Sequence, residues 1–267
     1  MRRFTADYLR RTREGMWDGS REALSDLDLS GRTRILDVGA GTGELSRVLA
    51  AESGAEVVCL DADHSLLTVA HAETGLPVVT GDATRLPFGD DAFDLVVCQA
   101  LLVNLPTPTN ALREFARVSS DLVAAVEPDN AAVGVDSTVD GEAELDRRVR
   151  TAYLDGVATD VALGDRLPAL FAEAGLRDVR TSRYHHDKHV DPPYDPSDLE
   201  DAKRKATGEG LDAYEAELRR VLSDAKYDDL RREWRAMGRA VADQIREREY
   251  RRVEVVPFDV CVGRVRE

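Results

Sequence analysis

Lysine is rare in this chain. Only Lys188, Lys203, Lys205 and Lys226 occur among 267 residues, so arginine supplies nearly all of the 36 cations set against 51 acids, and the formal net charge is −15. That deficit speaks against a nucleic-acid partner, because phosphate recognition needs a concentrated basic face. Cysteine is scarcer still. Cys59, Cys98 and Cys261 each sit inside an apolar run, with no CxxC pair and no metal spacing, so three buried thiols in a reducing compartment are expected and neither disulfides nor a metal site. Long hydrophobic runs are missing too: none approaches the roughly 20 residues that span a bilayer. The start, Met1 to Tyr8, turns polar at once and lacks the apolar stretch of a secretory signal. The expectation is a cytoplasmic chain with no membrane partner. An acidic surface served by Arg in place of Lys also reads as adaptation to high salt, where screening weakens self-repulsion; arginine-rich coding over an ordinary acidic surface is the alternative.

What is present is enough apolar material for a core, 43% of residues. Residues 33–127 alternate short apolar runs (Ile35–Val38, Val57–Leu60, Val78–Val79, Leu95–Cys98, Leu122–Val126) with amphipathic segments. Runs without polar alternation are expected of strands covered on both faces, so the pattern predicts a parallel sheet wrapped by helices. Leu45, Val48 and Leu49 mark one helix, Ser65–Ala72 a second, and Leu112, Phe115 and Ala116 a third.

Beyond Val126 the rhythm breaks. A charged helix is predicted near Glu142–Tyr153, then a helix carrying Leu167, Leu170, Phe171 and Ala174, started by Asp165 and stopped by Gly175. A strand near Val179–Tyr184 follows. The prolines at 192, 193 and 196 predict a linker over His185–Ser197. Two helical stripes come next, Leu211, Tyr214, Leu218, Val221 and then Leu230, Trp234, Met237, Val241, Ile245, and a last strand over Val253–Val265 with Pro257 forcing a bulge or a late start. The expected organisation is an N-terminal helical segment (1–30), a cofactor-binding core (31–184) with a substrate-side insertion at 128–164, a helical cap (185–252), and a final strand returning to the sheet (253–267).

The informative stretch is Ile35-Leu36-Asp37-Val38-Gly39-Ala40-Gly41-Thr42-Gly43-Glu44. A strand ends, glycines turn the chain, and a helix begins, where a ligand can press on bare backbone and unpaired amides. Dinucleotide loops need G-x-G-x-x-G. Here the spacing is G-x-G-x-G, and Glu44 stands where the third glycine would be and would repel a pyrophosphate. The second strand ends in Asp61, able to accept from both hydroxyls of a ribose, and the third leads into Asp82, able to accept from an adenine amino group. Either acid alone is as readily a cap for the next helix; the glycine turn and both acids on successive strands point to a nucleoside.

These stretches resemble the class I S-adenosylmethionine-dependent methyltransferases, in the branch acting on small molecules that includes the quinone-biosynthesis type. The resemblance rests on LDVGAGTG at 36–43, VVCLDAD at 57–63, GDATRLPFGDDAFDLVVCQALL at 81–102 and NLPTPTNALREFARV at 104–118, with a weaker echo in LPALFAEAGLRDV at 167–179. It implies a doubly wound, mostly parallel seven-stranded Rossmann-like sheet with an antiparallel C-terminal strand. It further implies S-adenosylmethionine as cofactor, with Asp37, Gly39, Ala40, Gly41 and Gly43 around its methionine part. Asp61 with Ala62 would sit at the ribose, Asp82 with Ala83 at the adenine, and Gln99 near the sulfonium end. The family's Pro-Gly-Gly turn before the fifth strand is replaced by a shortened Val118-Ser119-Ser120-Asp121.

The ligand suits the residues, for a sulfonium cation without phosphate fits an Asp-rich site lacking Lys or Arg. Arg13 is a candidate for the cofactor carboxylate or one more surface arginine, and the segment around Tyr8, Arg13 and Trp17 is expected to help close the site. His185, His186 and His189 match no ligand motif and are either a base or solvated loop residues; Glu127 before Pro128 either faces the site or caps a turn. No catalytic residue is singled out. The expected function is methyl transfer to a small molecule by a monomer or homodimer. The alternatives are a NAD-dependent oxidoreductase, or a module that holds the cofactor or its demethylated product without transfer.

Overall fold

The computed structural model describes residues 5–13 and 16–265. In chain order its elements are α1 (Ala6–Arg13), α2 (Met16–Gly19), β1 (Arg34–Val38), α3 (Glu44–Glu52), β2 (Glu56–Asp61), α4 (His64–Thr74), β3 (Val78–Thr80), β4 (Phe93–Gln99), α5 (Pro108–Val118) and β5 (Ser119–Pro128). There follow β6 (Gly134–Ser137), α6 (Glu142–Gly156), α7 (Leu167–Glu173), β7 (Arg177–Val190), α8 (Pro196–Thr207), α9 (Glu209–Asp212), α10 (Glu215–Val221), α11 (Asp224–Glu247) and β8 (Arg252–Arg264). The elements divide into two compact units, Met1–Asp129 with Ala162–His186 and Pro257–Glu267, and Asn130–Val161 with Asp187–Val256.

The larger unit is the expected sheet. Its strands run in the order β3-β2-β1-β4-β5-β8, with β7 also on β8. All pairs from β3 through β5 are parallel, and β8 returns antiparallel to β5 from Leu122↔Arg264 to Pro128↔Phe258. The order reverses between β1 and β4, so right-handed crossovers place α3 and α4 on one face and α5 on the other. On one face Ile35, Val57, Leu95, Val97, Ala124, Val126, Val260 and Val262 meet Leu45, Val48 and Leu49 of α3 in a single apolar cluster. Trp17 joins that cluster, edge-on to Phe258 with ring centroids 6.4 Å apart, while Tyr8 is exposed. All three cysteines are free and buried. No described helix is long and apolar enough to cross a membrane.

The smaller unit is helical, with β6 paired to the first half of β8 from Gly134↔Val255 to Ser137↔Arg252. This strand is the eighth, beyond the seven expected. Its core gathers Val149, Leu211, Leu218, Tyr227, Leu230, Trp234, Met237 and Val241. Two glycines set the helix spacing here: a Cβ on Gly156 of α6 would lie 2.0 Å from the Glu217 carbonyl oxygen of α10, and one on Gly238 of α11 would lie 2.3 Å from the Lys205 carbonyl carbon of α8.

Several expectations need correction. The segment read as a linker from His185 is strand as far as Val190, because it keeps pairing with β8. Pro196 does not break a helix but opens α8, at its first turn, behind a reciprocal capping box between Asp195 and Asp198. The stripe from Leu211 to Val221 is split into α9 and α10, and Val221 is exposed. Asp165 does not cap α7; it lies in the preceding 3-10 turn, and no side chain caps that helix. Pro257 causes neither a bulge nor a late start, for β8 runs through it where the strand exchanges β6 for β5 as partner. The shortened turn at 118–121 is no turn at all, since α5 passes straight into β5.

Candidate active site

At the carboxyl end of β1 the chain turns through Gly39, Gly41 and Gly43, with φ of +73°, +58° and +85°, and enters α3. Those angles lie in the left-handed region that only glycine enters cheaply. Space matters as much. A Cβ on Gly39 would lie 2.9 Å from Leu101 Cδ1, and one on Gly43 3.1 Å from Thr74 Cγ2 of α4. At these two positions the protein's own side chains lie against the backbone where a Cβ would stand. The amides are committed as well: Gly39 and Ala40 donate to the Leu60 carbonyl at 2.7 and 3.0 Å, and Gly43 donates to the Ala40 carbonyl at 2.9 Å. The Gly41 amide donates to Asp61 Oδ2 at 2.9 Å.

Register places the other residues. Val38 pairs with Leu60 on one side and Cys98 on the other, so Gly39, Asp61 and Gln99 each stand one step further along three adjoining strands. Asp61 pairs with Thr80, which puts Asp82 two residues beyond the end of that ladder. Asp61 is half-buried, and its Oδ1 accepts from the Asp63 amide at 2.9 Å. Asp82 is exposed, and its Oδ1 accepts from the Thr84 amide and hydroxyl, both at 2.8 Å. Both acids therefore cap turns, and a carboxylate, with about four acceptor sites, retains capacity for a ligand's donors. Asp37 is buried, with Oδ2 accepting from the Ser46 hydroxyl of α3 at 2.5 Å, and so braces the turn from beneath. Ala62 is exposed and Ala83 buried. Gln99 is buried, and its Nε2 donates to Met16 Sδ at 3.0 Å. The Arg13 side chain lies outside the described residues. His185 and His189 are exposed on β7 and His186 is buried; among the described residues no group of three or more His, Cys, Asp or Glu side chains is placed to hold a metal.

Two further features stand out: Glu127, which the sequence left open between facing the site and capping a turn, and a pair that the sequence reading missed. Glu127, the charged end of an otherwise apolar strand, is 1% exposed and lies under the turn after β4. Its Oε1 accepts from the amides of Leu101 at 3.0 Å and Leu102 at 2.8 Å, and its Oε2 from that of Val103 at 3.3 Å. Burial pushes its carboxyl up to about 7, against the pull of the three amides and of the nearby Cys98 thiol. The second feature is Glu114 and Arg117 on α5. Glu114 accepts from the Leu86 amide at 2.9 Å, and Arg117 donates to the Phe88 and Leu86 carbonyls at 2.9 and 3.2 Å, so together they hold the loop that follows Asp82. Arg117, bonded to Glu114, holds that carboxyl below its ordinary range. The signal was the Glu-x-x-Arg spacing on one helix face.

Residues 36–121 match a protein family described as methyltransferase domain. Within the larger unit, residues 36–121 are thus similar to a methyltransferase domain. Demethylmenaquinone methyltransferase of Mycobacterium tuberculosis is 44% identical over 100 residues, 37% of this chain and 42% of the relative. The match thus spans about two fifths of that relative's length. Among solved structures, the YcgJ protein of Bacillus subtilis superposes with a TM-score of 0.52 at 17% identity, covering 92% of this chain and 99% of its own. Phosphoethanolamine N-methyltransferase 2 of Haemonchus contortus, in complex with phosphomonomethylethanolamine and S-adenosylhomocysteine, gives 0.51 at 16% identity over 99% of this chain and 59% of that one. At those identities the likeness is one of fold.

The residues at these strand ends fit S-adenosylmethionine. Asp61 and Asp82 offer acceptors at adjoining strand ends, and neither 35–44 nor 57–63 contains a lysine or arginine that would favour a phosphate.

Proposed function

We propose that this chain transfers a methyl group from S-adenosylmethionine to a small-molecule acceptor. The observation that carries the reading is the glycine turn, Asp61 and Asp82 at successive carboxyl ends of one parallel sheet, the edge where open α/β sheets bind their ligands. Bound there, the cofactor supplies a methyl group activated by its sulfonium sulfur. Asp61, beside Ala62, accepts from the ribose hydroxyls; Asp82 and the backbone at Ala83 meet the adenine. Gly39, Ala40, Gly41 and Gly43, braced by Asp37, shape the wall for the methionine part, with Gln99 near the sulfonium end. Catalysis rests on alignment, a source of roughly 7–11 kcal/mol in well-oriented reactions.

The relatives named demethylmenaquinone methyltransferases align over about 100 residues, 37% of this chain. The acceptor is therefore left as a small molecule. The same reading places the enzyme in the cytoplasm, as a monomer or homodimer with no nucleic-acid partner, and takes its arginine-rich acidic surface as a high-salt adaptation; a melting temperature that falls with added KCl contradicts that last point.

Calorimetry with S-adenosylmethionine, S-adenosylhomocysteine and NAD tests the cofactor. Binding of the first two and not the third is expected, and preference for NAD overturns the reading. Incubation with methyl-labelled cofactor and a cell extract then tests transfer: label in the small-molecule fraction supports it, and binding with no labelled product makes the chain a cofactor-holding module.

A further inference from the structure

We propose that Glu127 is a positioning residue of the methyl-transfer site: its carboxylate pins the turn after β4 and so fixes both Gln99 and the side chain that lies on Gly39. This rests on the cofactor reading above. The turn begins at Ala100, whose φ of +50° is left-handed without being glycine. Such a residue persists only where its surroundings over-determine it. The Ala100 amide donates to the Val126 carbonyl at 2.8 Å, and its carbonyl accepts from Asn104 Nδ2 at 2.8 Å. The next three amides, those of Leu101, Leu102 and Val103, all point at Glu127. Leu102, Val103 and Leu105 around them are buried, which leaves no solvent to take the carboxylate's place.

The hold reaches the site through two contacts. Gln99 is the residue immediately before the hinge, paired with Val126 and so one step from Glu127 across the sheet. Leu101 is the side chain that a Cβ on Gly39 would strike at 2.9 Å. A shift of this turn therefore moves the group nearest the sulfonium end and the floor of the glycine turn together. A carboxylate is acceptor-only on both oxygens, whereas an amide of the same shape turns a donor towards one of the three N–H groups.

Glu127→Gln tests the pin without opening a cavity, and Glu127→Asp keeps the acceptors on a shorter arm. Amide hydrogen exchange at 101–103 is expected to speed up at least tenfold in E127Q. In folded E127Q, calorimetric affinity for S-adenosylmethionine is expected to fall about tenfold, with E127D in between, a rescue that loss of packing alone does not give. Unchanged affinity in folded E127Q overturns the proposal, as does unchanged exchange at those amides. If E127Q does not fold, E127D decides: faster exchange with weaker binding supports the role, and wild-type values of both refute it. Should the wild-type protein bind no S-adenosylmethionine, the cofactor reading fails and with it the link to methyl transfer, while the exchange data still show by themselves whether Glu127 holds the turn.

Discussion

The Gly41 amide donates to Oδ2 of Asp61 over 2.9 Å, joining the turn after β1 to the acid that ends β2. One carboxylate thus shapes the glycine turn and is proposed to hold the ribose, and the two roles separate by substitution. Asp61→Ala is expected to weaken S-adenosylmethionine binding by roughly 1–3 kcal/mol, the range for losing charged hydrogen bonds. Asp61→Asn, which keeps an acceptor for one of its two partners, is expected to lose less. Titration calorimetry of both variants checks this, and wild-type affinity in folded D61A removes Asp61 from the site.

Gly39→Ala faces two obstacles, a left-handed φ and Leu101 at 2.9 Å from the new Cβ. The backbone alone costs roughly 1–2 kcal/mol. Adding Leu101→Ala relieves the contact and leaves the backbone cost, so the double variant is expected to be less destabilised than the two single changes summed. Urea midpoints of the four proteins measure the coupling.

Glu127 gives the stability a pH dependence whose sign follows from burial. Its carboxyl titrates at about 7 in the fold against an ordinary value of 4.5, so the folded chain binds that proton more tightly than the unfolded one. The contribution is complete below the unfolded value and is lost as the pH rises through about 7. A gap of about two and a half pH units corresponds to something on the order of 3 kcal/mol. Wild type is therefore expected to lose stability relative to E127Q, by up to that order, as the pH rises from about 5 to about 8. Equal pH profiles for the two proteins contradict the burial argument.

In the helical unit Glu142 is 1% exposed and accepts from Lys205, Tyr250 and Ser137, with Arg252 Nε at 3.6 Å. Lys205→Met removes a principal counter-charge from a buried carboxylate and is expected to cost about 3–5 kcal/mol, towards the lower end because Arg252 remains. Adding Glu142→Gln is expected to recover part of the loss, since it removes the uncompensated charge. Chemical denaturation of the single and double variants checks both statements.

Much of the larger unit was legible from residue order, because its signals are local. An apolar run covered on both faces, a glycine after a strand and a helix stripe each act within a few residues, and together they predicted β1 to β5 with their helices. The misreadings came where a distant partner decides. His185 to Val190 reads as polar loop, yet β8 supplies the ladder that makes it strand. Pro196 reads as a helix breaker, yet it opens α8 behind the Asp195–Asp198 box, for proline opens a helix as readily as it ends one.

For the candidate site the division is the same. The sequence by itself determined which residues gather at one sheet edge: the G-x-G-x-G turn, Asp61 and Asp82 follow successive strands, and parallel β-α-β winding brings successive strand ends to one edge. Only the tertiary structure decided what supports those residues. Leu101 lies on Gly39 across 62 positions of sequence, and Glu127 gathers three amides from 24 to 26 residues away. A buried carboxylate finds its donors through packing between strands, and periodicity along one chain segment carries no record of which amides those are.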